Sequence, residues 1–116
     1  MAIRIKTNNP SELLDSIKKS IDSKVIDTWS YDSVGDFTHT PEQWKNKAWL
    51  RPNVDINPGE LTFGIIGTKE VKLSKFTYGL YHGRFIEMLL NHFDKDFSNV
   101  SATALATKPD ILSKPQ

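Results

Sequence analysis

Two apolar stripes of helical period stand near the ends of this chain, and the sequence between them reads almost entirely as strands and turns. In the first stripe Asn9 precedes Pro10, Glu12 falls three residues after that Asn, and Leu13, Leu14, Ile17 and Ile21 follow. An N-cap residue, a proline at the first helical position and one apolar face predict a helix from Pro10 to Ser23. In the second, Tyr78, Tyr81, Phe85, Ile86, Leu89, Leu90, Phe93 and Phe97 mark "TYGLYHGRFIEMLLNHFDKDF" as a longer helix.

The intervening and flanking segments carry the period of half-buried strands. Ile3 and Ile5 alternate with Arg4 and Lys6, and "KVIDTWSYDSVGDFTHT" is β-branched and aromatic around a "DSVGD" turn. Asp32, Asp36 and His39 fall on that hairpin, where Asp and Gly serve the turn better than they would a cation. Thr40, Pro41 and Gln43 predict one helical turn at Pro41 to Lys45, with His39 and Trp44 flanking it. "KAWLR" is a strand stopped by Pro52, and "LTFGII" is another, entered through a turn at Pro58 and Gly59. The polar stretch from Gly67 to Lys75 leaves room for a short strand at Val71 to Leu73, and "VSATALAT" gives the last strand.

The order β-α-β-β-β-β-α-β predicts an α+β fold. The expected form is a two-layer sandwich, with a mostly antiparallel sheet of four to six strands and both long helices on one face. Val25, Trp29, Tyr31, Leu61, Phe63, Ile65 and the row Ala102, Ala104, Ala106 supply the greasy side. Residues 1–107 form a single domain in this reading, and residues 108–116 a tail that lies over the surface or frays.

Composition narrows function more by exclusion. A net charge of +1 gives no global field toward nucleic acid, and the chain has no cysteine for disulfides, thiolate metal sites or nucleophiles. No apolar leader or membrane-length apolar run is present, which predicts a soluble, cytoplasmic protein without membrane association. No catalytic constellation, metal-ligand spacing or cofactor fingerprint is legible, so no catalytic residues, metal or cofactor are expected.

Two places merit attention. The first is "YGLYHGRF", where His82 falls inside the apolar arc of the second helix between Gly79 and Gly83. Each glycine costs about 1 kcal/mol relative to alanine in a helix, so their pairing predicts that something specific fills the space they leave. His82 is then either a core histidine or part of a ligand-binding or small enzymatic pocket with Tyr78, Tyr81 and Arg84. The second is Lys45, Lys47, Trp49 and Arg51, a candidate interface on the sheet face opposite the helices, suited to docking another subunit or, less so, to stacking a base. The function expected from these features is a small non-catalytic interaction module acting through a protein surface, as a homodimer or with a protein partner.

Overall fold

The structure is a computed structural model and describes residues 2–68, 73–105 and 110–114. The chain runs β1 (Ala2–Lys6), α1 (Pro10–Asp22), β2 (Trp29–Tyr31), β3 (Phe37–His39), β4 (Trp49–Asp55), β5 (Glu60–Thr68), α2 (Lys75–Phe93), β6 (Asn99–Ala102) and β7 (Ile111–Lys114). The fold is α+β in the expected element order, with an antiparallel sheet ordered β2-β3-β4-β5-β1-β6. Within the segment expected to be a tail, β7 pairs with β5 in parallel.

Register explains the core. Ile3 sits opposite Phe63, Ile5 opposite Leu61, Leu50 opposite Ile65 and Phe37 opposite Leu50, so these side chains share one side of the sheet. Leu13 and Ile17 of α1 and Tyr81, Phe85, Met88, Leu89 and Phe93 of α2 join them in a single buried cluster. Phe85 is its aromatic centre, with ring centroids 4.6 Å from Phe63 and 5.0 Å from Trp29. The alternate positions carry Arg4, Trp49, Arg51, Asn53, Thr62 and Ser101, paired strand to strand across the sheet.

Several local expectations change. Asn9 flanks α1 but its side chain makes no capping bond, whereas Ser74, not anticipated, accepts the Thr77 N–H at 3.0 Å and starts α2 earlier. The strand at Trp49 continues through Pro52, because β3 pairs with β4 only at Phe37 and Leu50. Beyond that point no strand among the described residues pairs with that edge of β4, where a missing N–H costs no ladder bond. Val25 is 65% exposed and its neighbour Ile26 is buried, while Ala102 and Ala104 are exposed and Val100 packs on the core. The expected strand at Val71 to Leu73 and the position of Ala106 fall on or beside residues outside the described range.

The turn between β2 and β3 has a clear local cause. The Asp32 carboxylate accepts the N–H groups of Val34 (3.1 Å) and Asp36 (3.0 Å), and Gly35 takes a φ of +87° that side-chain-bearing residues resist. Asp36 itself is buried and holds Arg51 through two bonds of 2.9 Å, which pins the hairpin to β4.

Candidate functional site

The four residues grouped around His82 do not converge. Arg84 lies two residues beyond His82, about 200° round the helix, and the two side chains leave α2 on opposite flanks. His82 is 5% exposed, and its Nδ1–H donates to the Tyr78 carbonyl at 2.6 Å. Its Nε2 is buried with no hydrogen-bond partner among the described residues. Tyr78 stands edge-on to this ring at 5.8 Å and donates its hydroxyl to the Ala104 carbonyl at 3.3 Å. Tyr81 turns the other way, fully buried, with its hydroxyl bonded to the Trp44 carbonyl and to Thr38. Burial raises the Tyr81 pKa above the usual phenol value, so the group is a tether for the Pro41 turn rather than a proton carrier.

Nor is the space beside the glycines filled. A Cβ at Gly79 or at Gly83 would meet nothing within 4 Å, and both residues are exposed. Among the described residues, then, nothing in the chain fills the space that the two glycines were expected to leave for a specific neighbour or ligand. These glycines lie on the outer flank of α2 in a row with Phe76, which is 70% exposed, and Leu90, which is 52% exposed. Phe76, Gly83 and Leu90 are spaced by seven residues, with Gly79 three after Phe76, which is the a/d spacing of a helix-pairing seam.

On the side of Arg84 the molecule opens a cleft of about 420 Å³ between α2, the β2–β3 hairpin and the Pro41 turn. Its floor is Trp29 and His39, which the hairpin places opposite one another with ring centroids 4.6 Å apart. The Thr28 carbonyl lies 2.7 Å from His39 Nδ1; a carbonyl only accepts, so Nδ1 carries the proton and Nε2 presents a lone pair. Among the described residues Nε2 has no partner, and it is not sealed from solvent. Burial holds the His39 pKa below the ordinary imidazole value, opposed by the bond to Thr28; Arg84 adds to the depression and Glu87 offsets part of it. Trp44 forms the rim of the cleft and stacks at 5.5 Å on Phe76.

A second cleft of about 410 Å³ lies at the start of α1. Its buried hydroxyl, Thr7, donates to the Asp96 carbonyl and accepts the Asn9 N–H, so that group is engaged within the chain, and the polar side chains around it, among them Asn8, Glu12 and Ser16, are not buried. Neither cleft borders His82. Among the described residues no group of three or more His, Asp or Glu side chains is arranged to hold a metal ion, and no helix is long and apolar enough to cross a membrane.

The four residues grouped around Trp49 lie on and beside β4. Trp49 and Arg51 share the sheet side away from the core cluster, with Trp49 half-buried, and Lys45 and Lys47 are exposed in the connection before the strand. Arg51 is committed to Asp36, which leaves the two lysines as the unpaired cations of that group among the described residues.

His39 was legible as a residue flanking the Pro41 turn and as a member of the hairpin with Asp32 and Asp36, not as part of a cleft. The missed signal is arithmetic: a hairpin that pairs Tyr31 with Phe37 must also pair Trp29 with His39, which puts an imidazole beside an indole. Comparison of the chain with family models, with curated proteins and with solved structures finds no match.

Proposed function

We propose that this protein is a non-catalytic interaction module that pairs with a second copy of itself through the outer flank of α2. The observation that carries the reading is the row Phe76, Gly79, Gly83 and Leu90. It combines two large exposed apolar side chains with two glycines whose Cβ space is empty. Glycine costs helix stability, and no contact among the described residues offsets that cost here. A second helix does offset it, because glycines let two backbones approach closely while Phe76 and Leu90 bury their exposed faces. A row presented identically by each copy is self-complementary, as a twofold interface requires.

Sedimentation equilibrium tests this. The apparent mass should rise with concentration above the 13.2 kDa of one chain toward twice that value. Leu90→Lys should hold the protein at one chain mass while leaving its unfolding midpoint unchanged at concentrations where the wild type is also a monomer. A wild-type mass that stays at 13.2 kDa up to millimolar concentration removes the proposal.

A further inference from the structure

Beside the α2 flank and independent of it, the geometry points to a ligand site in the cleft over Trp29 and His39, and its ligand is a basic side chain or free base, an ammonium or guanidinium group. The lining mixes donors and acceptors, with Gln43, Asn91 and His92 beside the charged groups, and two of its acceptors are unengaged among the described residues. His39 offers a bare Nε2 whose orientation is set by the Thr28 carbonyl behind it. Asp27 lines the same cleft, and its carboxylate makes no ion pair or hydrogen bond among the described residues. Arg84 and Glu87 face each other at 3.3 Å, so their charges cancel and the cleft keeps one net negative charge from Asp27.

The aromatic wall acts in the same sense. Trp44 is half-exposed and lines the cleft with its ring tilted against Phe76, and an indole attracts a cation held over whichever face is left open. An anion would meet the Asp27 and Glu87 carboxylates and a neutral imidazole, with Arg84 already engaged. A guanidinium would instead donate N–H bonds to His39 Nε2 and to Asp27 while lying against Trp44, and its charge disfavours protonation of His39. The volume of the cleft, about 420 Å³, lies within the range of ordinary ligand pockets.

Nuclear magnetic resonance titration decides the matter with three probes: N-acetyl-arginine methylamide, N-acetyl-glutamate methylamide and N-acetyl-leucine methylamide. The arginine probe should shift the indole N–H signals of Trp29 and Trp44 and the ring signals of His39 saturably at millimolar concentration. Asp27→Asn, an exposed change that should leave the folded spectrum intact, should weaken the arginine probe about threefold to fivefold, as loss of one partly solvated charge contact does. If the glutamate probe binds better and Asp27→Asn strengthens it, the site stands and the basic ligand is overturned. Equal shifts from all three probes show an apolar cleft without charge selection, which also overturns the ligand class. If none of the probes moves these signals, the site itself is overturned; none of these outcomes bears on the pairing of α2.

Discussion

Replacing His82 by leucine should stabilise the protein. The histidine is more than nine-tenths buried, its Nε2 is without a hydrogen-bond partner among the described residues, and its Nδ1–H bonds to the Tyr78 carbonyl one turn back. That carbonyl also accepts the helical N–H of residue 82, so losing the imidazole bond does not orphan it. The lost bond is worth about 0.5–1.5 kcal/mol net, and the unsatisfied buried nitrogen costs about 1–3 kcal/mol. Leucine has similar volume and a somewhat better helix propensity, worth a few tenths of a kcal/mol. The sum favours His82→Leu by about 1 kcal/mol, within a range of about 0–3 kcal/mol. Urea unfolding followed by circular dichroism at neutral pH measures this, with an unchanged slope confirming that both variants lose the same buried surface. A destabilisation beyond about 1 kcal/mol would refute the reasoning, because it would mean that Nε2 has a partner and that His82 is satisfied in place.

Three further outcomes follow from the same geometry. Gly79→Ala and Gly83→Ala should each raise monomer stability by about 0.5–1 kcal/mol in a chemical melt at low concentration, and should weaken self-association in sedimentation at high concentration. Stability should fall with acid through His39: the unfolded imidazole takes its proton near pH 6.5 and the folded one only at lower pH, so the unfolded chain binds more protons in between. This contribution is therefore present above about pH 6.5 and is lost as pH falls toward the depressed folded value, with a slope of at most about 1.4 kcal/mol per pH unit; His39→Gln should flatten that part of the curve in urea melts. Asp36→Asn should cost about 1–3 kcal/mol with little dependence on salt, because it breaks a two-bond pair to Arg51 whose carboxylate is buried, whereas Glu87→Gln in the exposed pair with Arg84 should change stability by less than about 1 kcal/mol.

Much of the fold was readable in residue patterns, for reasons these elements make plain. The α1 stripe, the alternation in β1 and the Asp-rich turn between β2 and β3 are local signals, and the structure places each where the pattern does. The continuation of β4 through Pro52 was not readable, since it depends on how far a neighbouring strand extends. The candidate site was less legible still. Its parts come from Asp27 to Trp29, His39 to Trp44 and Arg84 to His92, segments that meet only after the hairpin folds against α2. Gly79 and Gly83 were flagged by their cost in a helix, yet the pattern alone did not say whether a strand of the chain or a ligand would lie against them. Helical projection mixed the two flanks of α2, and only the packing of Phe85 into the core shows that the glycines face outward.

Cross-linking at the outer flank of α2 tests the central claim most directly. The chain has no cysteine, so a single introduced thiol reports one position without background. Gly83→Cys lies at the middle of the row from Phe76 to Leu90, where two copies that pair there bring their Cβ atoms within reach of a disulfide. Mild oxidation should convert Gly83→Cys to a covalent dimer, while Ser101→Cys, exposed on β6 away from that flank, stays monomeric under the same conditions. Failure of Gly83→Cys to cross-link, or equal cross-linking at both positions, would contradict pairing through α2.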